Sequence, residues 1–135
     1  MTDSQTPDLP RLTAADDLYQ YHVPADPQIS PDGRRVAYII QRVERETEKK
    51  FTNLWVADTA EGRPRRFTHG KWNDSQPRWS PDGRTIALLS NRGNEEQAQL
   101  YLIPLDGGEA RPLTELKGNF ANYEWSPDGA KFVCQ

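Results

Sequence analysis

The sequence has little of what marks a specialised environment. A single cysteine, Cys134, in 135 residues leaves no disulfide framework and no cysteine-based metal site within the chain. The two histidines, His22 and His69, stand alone without a second imidazole or thiol at ligand spacing, so they read as surface residues, and neither a metal nor a cofactor is expected. No apolar run approaches membrane-spanning length. Charge of one sign is also scarce. Seventeen basic and twenty acidic residues give a net charge of −3, which excludes the basic footprint of a nucleic-acid binder. The first residues, Met1-Thr2-Asp3-Ser4-Gln5-Thr6-Pro7-Asp8, lack the basic patch and apolar stretch of a secretory signal, so a cytoplasmic setting is expected. Only 35% of the residues are hydrophobic, which is lean for a globular domain. Four tryptophans and an aromatic share of 10% nevertheless argue for a folded chain with a core of few large side chains.

What is present is a repeat. Ser-Pro-Asp-Gly occurs three times, as Ser30, Pro31, Asp32, Gly33, then Ser80, Pro81, Asp82, Gly83, then Ser126, Pro127, Asp128, Gly129, at spacings of 50 and 46 residues. The flanks repeat too. Pro27-Gln28-Ile29 and Val36-Ala37-Tyr38 answer Pro77-Arg78-Trp79 and Ile86-Ala87-Leu88, and the third copy reads Tyr123-Glu124-Trp125 and Phe132-Val133-Cys134. Between the turns, Asn53-Leu54-Trp55-Val56 aligns with Gln99-Leu100-Tyr101-Leu102, and Arg66-Phe67-Thr68 with Pro112-Leu113-Thr114. The four extra residues of the first spacing fall between Ile40 and Asn53, where a mixed-charge stretch from Arg42 to Lys50 reads as a solvent loop.

Each repeat reads as four short strands. Pro presets φ at the first central position of a type I turn, Asp tolerates the second, and Gly supplies the positive φ of the bulge that follows. The carboxylates of Asp32, Asp82 and Asp128 are therefore assigned to the turns. The strand before each turn holds Ile29, Trp79 or Trp125; the second and third strands, around Val36 to Ile40 and Leu54 to Val56 and their equivalents, read as buried on both faces. The fourth centres on Phe67 or Leu113. Pro-Asp-Gly turns also join strands in sandwiches and isolated hairpins, but three copies with matching strands at a period of roughly 40 to 50 residues describe β-propeller blades. The expected fold is all-β: a partial β-propeller of two four-stranded blades plus the start of a third, with a short N-terminal helix. Residues 1–22 form a leader and helix, with Thr13 and Asp16 resembling a capping box and Pro24 ending the helix; residues 23–135 form the incomplete propeller. The third copy stops inside its second strand, while propellers close with roughly four to eight blades. The chain is thus expected to be the N-terminal part of a longer protein.

The helix bearing Asp17-Leu18, the run from Asp26 through Tyr38, Leu54-Trp55-Val56 and Arg66-Phe67-Thr68 together resemble the N-terminus of prolyl oligopeptidase family serine peptidases, nearest the acylaminoacyl-peptidase branch. The resemblance covers the chain from about Leu12 onward. TolB-type propellers share the Ser-Pro-Asp-Gly hairpin and the Leu-Tyr strand, although a TolB-like protein should begin with a signal sequence. The peptidase resemblance implies a propeller covering an α/β-hydrolase domain and admitting short or N-acylated peptides to a Ser, Asp and His between them. None of that machinery maps onto a residue here. No Gly-x-Ser-x-Gly occurs, and Ser4, Ser30, Ser75, Ser80, Ser90 and Ser126 sit in the leader, turns or strand ends. The expected partners are further propeller blades and the hydrolase domain, with short peptides as substrates of the whole protein; the alternative is a TolB-like module that binds protein partners. Arg63, Arg65 and Arg66 read as a solvated strand face, and Asp58, Asp74 and Asp106 as isolated carboxylates without a calcium-loop spacing.

Overall fold

The computed structural model describes Leu12 and residues 14–135. A 3-10 helix, η1 (Ala15–Gln20), leads into ten strands: β1 (Val23–Ile29), β2 (Arg35–Val43), β3 (Lys50–Asp58), β4 (Pro64–Arg66), β5 (Asp74–Trp79), β6 (Thr85–Ser90), β7 (Gln99–Pro104), β8 (Arg111–Pro112), β9 (Tyr123–Trp125) and β10 (Phe132–Cys134). They form two antiparallel four-stranded sheets, β1-β2-β3-β4 and β5-β6-β7-β8, and a two-stranded sheet of β9 and β10. This is the partial propeller with its short N-terminal helix.

The sheets stack face to face. Ala37, Ile39, Leu54 and Val56 of the first sheet interlock with Trp79, Ile86, Leu88, Tyr101 and Ile103 of the second. On the far side of the second sheet, Ala87, Leu89 and Leu100 pack against Tyr123, with Trp125 and Phe132 closing the layer. From Ile86 to Ser90 every residue of β6 is buried, as expected of a strand covered on both faces, because that sheet has a described neighbour on each side. In β2, Ala37 and Ile39 are buried against the second sheet, whereas Tyr38 and Ile40 lie on the face that no other described strand covers and are half-buried.

Three boundaries differ from the sequence reading. The stretch from Arg42 to Lys50 is partly strand, since Arg42 pairs with Phe51 and Val43 with Lys50, so the insertion lengthens the β2–β3 hairpin before looping. The fourth strands are short and lie just before Phe67 and Leu113, although the Phe67 and Leu113 N–H groups still donate to Leu54 O at 2.8 Å and Leu100 O at 2.7 Å. The helix ends at Gln20, and Pro24 lies inside β1, paired with Ile40. Thr13 lies outside the described residues; the contact at the helix start is Asp17, whose carboxylate accepts the Ala14 N–H at 2.7 Å.

Candidate functional site

The three Ser-Pro-Asp-Gly turns are built alike to within 0.2 Å. Each serine hydroxyl donates to the following aspartate at 2.6 Å, and each aspartate also accepts a backbone N–H, from Arg34, Arg84 or Ala130, at 3.0 Å. The serine oxygen accepts the N–H of Arg35, Thr85 or Lys131 at 2.9 to 3.1 Å. These bonds favour the carboxylate form and hold Asp32, Asp82 and Asp128 below their ordinary range, the serine hydroxyl being the largest cause in each. The glycines take φ of 72°, 70° and 72°. The turns also touch one another: the ring of Pro31 lies 3.6 Å from where a Cβ of Gly83 would stand, and that of Pro81 lies 3.4 Å from the same point on Gly129.

A second line of contacts joins the first strands of the sheets. The Trp79 indole N–H donates to Gln28 O at 2.9 Å, and Trp125 donates to Arg78 O at 3.2 Å, one repeat further on. Arg78 Nη1 reaches both carboxylate oxygens of Asp26, at 3.1 and 2.9 Å, while Gln28 holds Asp26 from its own strand. The Tyr123 hydroxyl donates to Gln76 O at 2.5 Å, and burial raises its pKa. Asp26 and Gln76 occupy equivalent bulges with φ of 48° and 50°, each just before a proline. A left-handed residue at a bulge re-aims the strand that follows. Here it turns Asp26 towards the neighbouring sheet and presents Gln76 O to Tyr123.

Nearer the outer strands, Thr68 accepts the Leu54 N–H at 2.8 Å and donates to Asp74 Oδ2 at 2.5 Å. Asp74 is fully buried, and Arg92 meets its other oxygen at 2.9 Å while stacking between Trp72 and Tyr101, at 4.8 and 4.9 Å from their ring centres. Asp74 is therefore a neutralised structural carboxylate, not a free cation ligand. A cleft of about 430 Å³ opens beside this network, lined by Phe67, His69, Trp72, Arg92, Ile103 and Glu109. No group of three metal-ligating side chains gathers among the described residues.

The remaining candidates are dispersed. Arg66 is half-buried: its guanidinium binds Asn53 Oδ1 at 2.6 Å and Thr68 O at 3.0 Å, and burial lowers its pKa. Arg63 pairs with Glu61 at the surface, and Arg65 lies over the Phe67 ring. The Asp58 carboxylate caps its own turn, accepting the N–H groups of Ala60 and Glu61, which hold its pKa down. The arm has a seat: Asp16 pairs with Arg45 at 3.0 Å, and Tyr19 reaches Glu48 at 3.5 Å, both on the lengthened hairpin. Sequence reasoning missed the Asp26–Arg78 and Asp74–Arg92 pairs. The signal available for the first was a polar residue before proline at the same place in two repeats, Asp26-Pro27 and Gln76-Pro77.

Comparison with known proteins adds the following. The TolB β-propeller domain family, PD40, matches residues 18–135. An uncharacterized peptidase of Bacillus subtilis, YuxL, is 41% identical over 123 residues, covering 91% of this chain and 19% of that protein. The Tol-Pal system protein TolB of Francisella tularensis subsp. mediasiatica is 29% identical over 90 residues, covering 67% of this chain and 19% of its own length. Among solved structures, the acylaminoacyl peptidase of Pyrococcus horikoshii matches with a TM-score of 0.69 over 87% of this chain and 18% of its own, at 22% identity, a likeness of fold. The chain spans no more than 19% of the length of each of these relatives.

Proposed function

Since the chain belongs to the TolB β-propeller domain family, PD40, we propose that it is the N-terminal propeller portion of a serine peptidase that hydrolyses short or N-acylated peptides. In this reading residues 1–22 are a leader and short helix, residues 23–135 begin the ring, and further blades and an α/β-hydrolase domain belong to the rest of the polypeptide. The hydrolase domain carries the chemistry, and the ring screens what reaches it. The setting is cytoplasmic. The observation that carries the proposal is the 41% identity to a peptidase along 123 residues, well above the likeness to TolB.

The geometry suits a screen. Each sheet is fastened to the one before it at the turn, by proline against glycine, and at the first strand, by an indole N–H on a carbonyl. Two separated points of attachment fix the angle between neighbouring sheets, and a ring of fixed angles keeps a fixed opening.

The complete reading frame, expressed and assayed on chromogenic acyl-aminoacyl and peptidyl substrates, tests the proposal. Turnover that disappears when the serine of a downstream Gly-x-Ser-x-Gly elbow is replaced by alanine supports it. A full-length protein without such an elbow, inert towards these substrates and retaining protein partners, favours the second reading, a TolB-like binding module, to which the 29% identity with TolB points.

A further inference from the structure

Four aspartates of the chain are followed by glycine: Asp32, Asp82, Asp106 and Asp128. All four pairs take the last two places of the same kind of backbone turn. In the three Ser-Pro-Asp-Gly turns the glycine N–H donates to the serine O at 2.9 Å, and in Pro104-Leu105-Asp106-Gly107, the turn that follows β7, the Gly107 N–H donates to Pro104 O at 3.4 Å. The difference lies in the first residue. Proline stands where the other turns have serine, so the turn has no hydroxyl of its own to hold the Asp106 carboxylate. Asp106 and Gly107 are exposed, the carboxylate meets no donor among the described residues, and the space around Gly107 is open.

An Asp-Gly pair reacts with itself when the glycine nitrogen attacks the aspartate Cγ, an approach that the missing Cβ leaves open. The N–Cγ bond forms, the Cγ–OH bond breaks, and water leaves with the amide proton, giving a five-membered succinimide. Water then adds to the main-chain carbonyl carbon and breaks its bond to nitrogen, so that the chain continues through Cγ as isoaspartate. In the Ser-Pro-Asp-Gly turns both reacting groups are held. The glycine N–H is bonded, and the carboxylate accepts the serine hydroxyl at 2.6 Å and a backbone N–H at 3.0 Å. Those bonds favour the ionised form, which lacks the hydroxyl that cyclisation expels. At Asp106 the carboxylate is unheld, and the one bond to the Gly107 N–H is beyond the usual length.

We propose that Asp106 is a site of spontaneous isoaspartate formation, with the Gly107 nitrogen as its nucleophile, and that the Ser-Pro-Asp-Gly turn shields Asp32, Asp82 and Asp128 from the same reaction. The repeated serine therefore protects the peptide bond as well as closing the hairpin. The modification adds one carbon to the backbone between β7 and β8. Because β8 is two residues long and pairs with β7 only at Tyr101 with Pro112 and Leu102 with Arg111, ageing loosens the fourth strand of the second sheet. This holds whichever activity the polypeptide carries, so it stands or falls separately from the peptidase reading.

Trypsin, which leaves the Arg111–Pro112 bond intact, releases the four pairs on separate peptides, residues 12–34, 79–84, 93–117 and 118–131. The protein expressed from its complete reading frame is aged for weeks in warm neutral buffer and digested. Isoaspartate in each peptide is then located by electron-transfer fragmentation and quantified by methyl transfer from an isoaspartyl methyltransferase. Asp106 should convert about tenfold faster than any of the other three, the ratio that one or two hydrogen bonds supply. In urea, where no turn is held, the four should age at similar rates. Pro104→Ser gives the fourth turn its serine and should slow Asp106 about tenfold, and Ser80→Ala should speed Asp82 by a similar factor. Equal ageing of the four pairs in the folded protein, the same lead of Asp106 in urea, or an unchanged rate in Pro104→Ser overturns the proposal. If Ser80→Ala disturbs folding, the folded and urea series on the unaltered protein decide the matter.

Discussion

The indole of Trp79 donates to the carbonyl of Gln28, 51 positions earlier in the chain, at 2.9 Å. The two residues belong to the first strands of adjacent sheets, and Trp125 repeats the contact on Arg78. Ile29 stands at the equivalent place in the first repeat, has no N–H to offer, and is 68% exposed. Trp79→Phe keeps most of the packing and removes the indole N–H that the Gln28 carbonyl accepts. It should lower stability by about 1 to 2 kcal/mol, measured by urea denaturation, whereas Ile29→Phe should change little.

The Asp74–Arg92 pair should behave as a unit. Arg92→Met leaves a fully buried carboxylate without its cation and should cost about 3 kcal/mol. The double variant Asp74→Asn, Arg92→Met should cost less than Arg92→Met alone. A double variant that adds the two single losses would show that the residues act independently.

Gly70 should be among the least replaceable glycines. A Cβ there would stand 2.3 to 2.5 Å from the Trp72 ring, at a φ of 138°. Gly70→Ala should push Trp72 off its position, disturb the stacking of Arg92 and lower stability by about 3 kcal/mol. Gly33→Ala, at a φ of 72° with open space around it, should cost only about 1 kcal/mol. Near-UV circular dichroism should change for the first variant and not for the second.

Acid should loosen the turns. Asp32, Asp82 and Asp128 have pKa values held below those of the unfolded chain, so each bound carboxylate stabilises the fold above the ordinary carboxylate pKa. That contribution fades as pH falls through the lowered native values. The urea midpoint should therefore drop from about pH 5 downward, and the triple variant Asp32→Asn, Asp82→Asn, Asp128→Asn should show a shallower decline with a lower plateau at neutral pH.

The ion pair between Asp16 and Arg45 should add little stability. It joins side chains that are 69% and 68% exposed. Asp16→Asn should change the unfolding free energy by less than about 1 kcal/mol in urea denaturation. A larger loss would show that this exposed pair holds the helix against the β2–β3 hairpin more firmly than a solvent-screened contact can.

Much of the fold was legible because the turns are local. Ser30 to Gly33 needs only its own hydroxyl, carboxylate and glycine to close, so three copies of four residues announce three hairpins, and strands follow at fixed distances. The register of β6 on β7 follows from that of β2 on β3 for the same reason. The seams were not legible. Nothing local says that Arg78 meets Asp26, or that Asp74 is buried rather than free, because each partner lies on a separate element and the two meet only after the sheets stack.

The sequence by itself thus determined the repeat unit, its turns and its strand order, since those rest on contacts within a few residues or between adjacent strands. The tertiary structure decided which side chains the stacked sheets bury together and which charges are paired. The physical reason is visible in one comparison. Asp58 and Asp74 both read as isolated carboxylates, yet Asp58 caps its own turn at the surface and Asp74 is fully buried, because Thr68 of the preceding repeat reaches it only once the sheets stack.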